Sequence, residues 1–131
     1  LGFRILGRET KVSGIAPILW DEDRKVDIAR IANATAKLLE CDLELSPSDI
    51  LSSDEYIGER YGVLTQEGRD ALKLVAETEG IFLDPVYTSK AMAGMIDQIR
   101  KGIITKNETV VFIHTGGLPA LFAYAEDLMI S

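Results

Sequence analysis

Cysteine is almost absent from this chain of 131 residues: Cys41 stands alone, so no internal disulfide can form. A lone thiol fits a reducing compartment, and Cys41, between Leu38-Leu39-Glu40 and Leu43, reads as a buried structural group. There is one histidine, His114, and no Cys/His cluster, so no transition-metal site can be read. Positive charge is scarce as well. Fourteen Lys and Arg against 21 Asp and Glu give a net charge of −7, which disfavours nucleic acid and anionic membrane as partners because both repel an anion. The longest apolar runs, Gly14 to Trp20 and Val110 to Ile113, fall far short of the roughly 20 residues that cross a bilayer. The opening Leu-Gly-Phe-Arg-Ile-Leu-Gly lacks the pattern of a signal peptide, and a cytoplasmic protein is expected.

What the chain does contain is enough apolar material, 47% of its residues, for one core, and residues 1–131 read as a single α/β unit. Leu1 to Leu6 looks like a helix end closed by Gly7. Lys11 to Leu19 is β-branched and apolar, as in a strand buried on both faces. Asp21-Glu22-Asp23 opens a helix whose apolar stripe runs from Val26 to Leu39. Asp42 to Leu45 is a short strand candidate, and Ser46 to Tyr61 a long polar loop of the kind that often carries function. Thr65 opens a helix ending at Gly80, and Ile81-Phe82-Leu83 runs to Asp84-Pro85. Thr88 or Ser89 caps the next helix, which stops at Gly102. Val110 to His114 reads as a second buried strand, and Leu118 to Met129 as a last helix with Pro119 in its first turn. The alternation of strand and helix predicts a mostly parallel sheet with flanking helices.

Two junctions carry the chemistry-bearing residues. His114-Thr115-Gly116-Gly117 lies between a strand and a helix, where ligands sit in open α/β sheets, although Gly-Gly here is also a common plain turn. Tyr87-Thr88-Ser89-Lys90 occupies an equivalent junction. Tyr87 offers a phenol to a ligand there, or packs its ring beneath the loop. Lys90, in a first helical turn, reads as a solvated side chain. Tyr61, at the end of the long loop, is either incidental or a ring offered to a planar cofactor, and His114 is either a structural hydrogen-bonder or a catalytic base.

Taken together, Tyr61-Gly62, Glu79-Gly80, Asp84-Pro85-Val86-Tyr87 and His114-Thr115-Gly116-Gly117 stand in an order and spacing that resembles the D-cysteine desulfhydrase and 1-aminocyclopropane-1-carboxylate deaminase family. The resemblance implies the C-terminal part of a tryptophan synthase β-like fold and pyridoxal phosphate as cofactor. It also implies a small amino acid as substrate and a homodimer for the full-length enzyme. Within it, Tyr61 and Tyr87 would be catalytic, Tyr61 at the cofactor ring and Tyr87 at the substrate. Thr115 and Gly116 would bind the cofactor, with Thr115 facing its pyridine nitrogen, and Thr88 would join Tyr87 in binding substrate.

The family's two activities differ at the residues after the second tyrosine and after the histidine. Glu and Leu resemble the deaminase, small hydroxyl residues the desulfhydrase, and this chain has Thr88 and Thr115. A neutral hydroxyl leaves the pyridine nitrogen a weaker electron sink than a carboxylate does, enough for elimination of a thiol. The resemblance therefore implies release of sulfide from D-cysteine, giving pyruvate and ammonia, with cyclopropane deamination as the alternative. Ser89 replaces the family's usual glycine, and Val63-Leu64-Thr65 lacks its proline. The Schiff-base lysine and phosphate loop belong to the family's front part, so the chain matches a C-terminal fragment that would not turn over alone. The contrasting reading is a small non-catalytic α/β ligand-binding module.

Overall fold

A computed structural model describes residues 1–20 and 23–129. The chain divides into two compact units, Leu1–Gly14 with Trp20–Ser53, and Ile15–Leu19 with Asp54–Ser131. In the first, helix α1 (Gly2–Ile5) closes as expected at Gly7, whose φ of 63° needs no Cβ to be accommodated. Strand β1 (Ser13–Ile15) is followed by helix α2 (Arg24–Leu38) and strand β2 (Leu51–Ser53), and the two strands pair in a small parallel sheet. The crossover through α2 is what parallel pairing requires. Asp23 caps α2 by accepting from the Lys25 N–H, while the rest of the expected acidic start, Asp21 and Glu22, lies outside the described residues. Asn33 on α2 binds both backbone groups of Leu45, at 2.8 and 2.9 Å, and so fixes the segment leading to β2.

The second unit is built on helices α3 (Gln66–Glu79) and α4 (Thr88–Arg100), which pack together over Ala71, Val75, Leu83, Met92 and Ala93. Both helix boundaries of α3 follow the sequence: Thr65 Oγ1 accepts from the Gly68 N–H, and Gly80 ends the helix in the left-handed region at φ 66°. Gly94 lets Ile15 and Tyr56 approach α4, since a Cβ there would lie 2.9 Å from Ile15 Cδ1. The Tyr56 hydroxyl donates to Asp97 Oδ2 at 2.6 Å, and burial, then that carboxylate, push the Tyr56 phenol up to about 12.

Several sequence expectations change. The Lys11 to Leu19 strand shortens to three residues with two of them exposed, and Asp42 to Leu45 is irregular while β2 forms inside the stretch expected to be loop. Val110 to His114 makes no ladder, with Val111 80% and Ile113 75% exposed, and only Phe112 packs on the core. β-Branched composition favours a strand, but a ladder needs a partner strand, and none pairs with this segment among the described residues. The final helix is broken at Tyr124 into α5 (Ala120–Ala123) and α6 (Ala125–Met129). Cys41 is half-buried rather than buried. Among the described residues no helix is long and apolar enough to cross a membrane.

Candidate active site

The site begins with a carboxylate. Asp84 is fully buried at the turn before α4, and its Oδ2 accepts from the N–H groups of Val86 and Tyr87 while Oδ1 accepts from the N–H and hydroxyl of Thr88. The Asp84 N–H in turn donates to Thr88 Oγ1 at 2.7 Å. Burial alone would raise this carboxyl, but the Thr88 hydroxyl and the three backbone donors together outweigh it and hold it below the ordinary range. Asp84 therefore does the capping expected of Thr88 or Ser89, which lie inside the helix. The proline after Asp84 fixes the turn, and Tyr87 is left as the residue immediately before the helix.

Tyr87 turns outward, 46% exposed, and meets Tyr61, 47% exposed, hydroxyl to hydroxyl. Their rings lie edge to face, with centroids 6.0 Å apart at 61°. The hydrogen bond it shares with Tyr61 is the main reason the Tyr87 phenol ionises above its ordinary value. Two distant loops thus deliver a paired phenol to the surface. Tyr61 is held in place by its own turn, because the Tyr124 hydroxyl donates to the Gly62 carbonyl.

The second turn packs beside the first. A Cβ at Gly117 would sit 2.7 Å from Asp84 Cβ and Cγ, so the close approach demands glycine, and both Gly116 and Gly117 have φ near 95°. His114 spans the gap: Nε2 lies 2.8 Å from the Phe82 carbonyl, and Nδ1 accepts from the Gly116 N–H at 3.1 Å. A neutral ring with its proton on Nε2 satisfies both bonds, which is the structural role among the two open readings. Thr115 is exposed on the turn that His114 holds.

Lys90 departs most from expectation. It is 1% exposed rather than solvated, its Nζ donates to the Ile57 carbonyl at 2.6 Å, and burial pushes its ammonium below the ordinary lysine value. Ser89 is likewise buried, with Oγ lying against Gly68 and, among the described residues, finding no hydrogen-bond partner. Sequence reasoning missed Asp84, Lys90 and Tyr124. An Asp followed by Pro and, four residues on, by a hydroxyl residue is a readable turn signal, whereas nothing local marks Lys90 or Tyr124.

This arrangement, two phenols beside a Gly-Gly turn after an α/β segment, is found in a chain that belongs to the pyridoxal-phosphate dependent enzyme family, whose model matches residues 1–116. The family uses pyridoxal phosphate. The chain is 40% identical over 125 residues to the 1-aminocyclopropane-1-carboxylate deaminase of Rhizobium rhizogenes, and 39% over 126 residues to that of Burkholderia vietnamiensis. These matches cover 95% and 96% of this chain and 37% of each relative, so the chain spans little more than a third of their length. A crystal structure described as an ACC deaminase homologue superposes with a TM-score of 0.83 at 34% identity, over 98% of this chain and 38% of that one. The fold is accordingly a part of the tryptophan synthase β-like one.

The residues present suit the non-covalent side of a pyridoxal-phosphate site: an accessible aromatic ring at Tyr61, an exposed neutral hydroxyl at Thr115 and backbone open to close approach at Gly116. Lys90 does not suit the covalent anchor, because its amine is buried on a carbonyl.

Proposed function

We propose that the protein carrying this chain is a pyridoxal-phosphate-dependent lyase of a small amino acid, and that its substrate is 1-aminocyclopropane-1-carboxylate. The observation that carries this reading is the 38 to 40% identity to deaminases of that name over 95% or more of the chain. The cofactor, when bound, supplies the electron sink that stabilises negative charge at the substrate's α-carbon. Tyr61 offers its ring and Thr115 its hydroxyl to that group, with Gly116 allowing the backbone to come close. Tyr87, as a phenol whose ordinary value of about 10 is shifted further up chiefly by its hydrogen bond with Tyr61, is present at neutral pH as O–H rather than phenolate and faces the substrate as a hydrogen-bond or proton donor.

A second reading, release of sulfide from D-cysteine, is favoured by Thr88 and Thr115, hydroxyl residues at the two positions where Glu and Leu resemble the deaminase. Thr88 spends its hydroxyl on Asp84, which supports a substrate-side role only through the turn it stabilises. The test is a direct competition on the full-length protein. The deaminase reading expects ammonia from the cyclopropane substrate at a higher kcat/KM than sulfide from D-cysteine. The reverse order of kcat/KM overturns it in favour of the desulfhydrase.

A further inference from the structure

The loop from Asp54 to Leu64 carries Tyr61, and helix α4 carries Tyr87 at its leading end. Besides the contact of the two phenols, side-chain bonds from Tyr56 and Lys90 tie that loop to that helix. Tyr56 reaches Asp97 at 2.6 Å, three turns into the helix, on a partly buried face. Lys90 reaches the Ile57 carbonyl at 2.6 Å in the helix's first turn, where both residues are sealed from solvent, Ile57 at 3% and Lys90 at 1% exposure. The Lys90 bond is the one placed to matter for the phenols. Ile57 is four residues before Tyr61, and Lys90 is three residues after Tyr87, so this contact ties the two segments close behind both phenols.

A buried ammonium served by one carbonyl is an expensive way to fill space, because burial disfavours its charge and a methionine would pack the same stem without that cost. Its value lies in direction. A hydrogen bond fixes the carbonyl it holds along a line, whereas apolar packing leaves the loop free to slide. Beyond Ile57 the chain turns at Gly58, where a Cβ would collide with Thr65, and then runs out to Tyr61 with few other restraints before Tyr124 holds Gly62.

We propose that Lys90 is a positioning residue: its hydrogen bond to the Ile57 carbonyl sets the distance and direction between the Tyr61 and Tyr87 hydroxyls. The amine takes no part in the chemistry and acts only through the loop. This inference rests on the phenol pair and on no particular substrate, so it stands or falls apart from the choice between the cyclopropane and D-cysteine.

The experiment uses the full-length protein with Lys90→Met, which keeps the apolar stem and removes the donor. Two readouts are taken on folded protein, folding being checked by melting temperature. The first is the alkaline titration of tyrosinate absorbance, with Tyr87→Phe identifying the Tyr87 step; loss of the Tyr61 contact should bring that step down toward the ordinary phenol value of about 10. The second is kcat on whichever substrate the protein turns over, expected to fall by about 10²-fold with KM little changed, the size of effect that follows a misplacement of about 1 Å. A folded Lys90→Met protein with both readouts unmoved overturns the proposal. If that variant does not fold, Lys90→Leu, which also fills the apolar site and also lacks a donor, is read in the same way. If neither folds, Lys90 serves the fold rather than the phenols, and the proposal fails.

Discussion

At the scale of single residues the two tyrosines and Ser89 make opposite uses of a hydroxyl. Tyr87 places its hydroxyl at the surface against Tyr61, where it is reachable by a substrate. If it transfers a proton, Tyr87→Phe in the full-length enzyme lowers kcat by about 10²-fold or more, while the change in stability stays near the ~1 kcal/mol of one hydrogen bond. Measuring kcat and melting temperature on the same protein separates the two, and an unchanged kcat removes Tyr87 from the reaction. Ser89 buries its hydroxyl against Gly68. Among the described residues nothing pairs with that buried hydroxyl, so Ser89→Ala is expected to leave stability unchanged or raise it by about 1 kcal/mol. A melting temperature several degrees below the parent would show that the hydroxyl has a function in the fold. The glycine expected from the family resemblance would also relieve the buried hydroxyl, at the cost of a more flexible first helical turn.

Among the elements, the turn before α4 organises more of the site than any helix or strand does. One carboxylate, Asp84, gathers the Val86, Tyr87 and Thr88 N–H groups and the Thr88 hydroxyl, and the Gly117 backbone lies directly against it. Asp84→Ala leaves buried donors unpaired and is expected to cost about 2–4 kcal/mol, read as a lower melting temperature. Because the folded-state carboxyl is held below its ordinary value, its contribution is present above the unfolded value near 4. It is lost as the pH falls through the lower folded value. The melting temperature of the parent should thus decline on acidification below about pH 4 more steeply than that of Asp84→Ala; parallel declines would dissociate this carboxylate from acid stability. How far such elements could be read from sequence depended on how local their causes are. Thr65 and Gly80 bound α3 through neighbours within four residues, so a cap and a left-handed glycine were legible. Lys90 looked solvated because its partner, Ile57, is 33 residues away and no periodicity announces it. The strand expected at Val110 to His114 does not form for a related reason: its composition is β-branched, but a ladder depends on a second strand that the segment itself does not specify.

For the whole molecule the decisive fact is coverage. The chain aligns along 95% or more of its own length with enzymes of which it spans 37%, and large apolar side chains such as Val111, Ile113 and Phe122 stand 75 to 87% exposed. The family order of Tyr61-Gly62, Asp84 to Tyr87 and His114 to Gly117 was legible because each motif is short and local, and the structure adds the Tyr61–Tyr87 contact and the seat of Gly117 on Asp84. The remaining question at this scale is whether these 131 residues alone can hold the cofactor covalently. Lys90 is the lysine that sequence places beside the tyrosines, and its amine is buried on a carbonyl with its charge disfavoured. A neutral amine is a nucleophile, so depressed ionisation alone would favour reaction with an aldehyde; burial opposes it by denying the aldehyde access. Access decides, since an amine that the aldehyde cannot reach has no rate to enhance. Incubation of the 131-residue chain with pyridoxal phosphate, reduction with borohydride and peptide mapping should therefore give scattered labelling of exposed lysines such as Lys73 and Lys101 and none at Lys90. A pyridoxyl adduct concentrated on Lys90 would show that the buried amine is reachable, and would return it to consideration as an anchor.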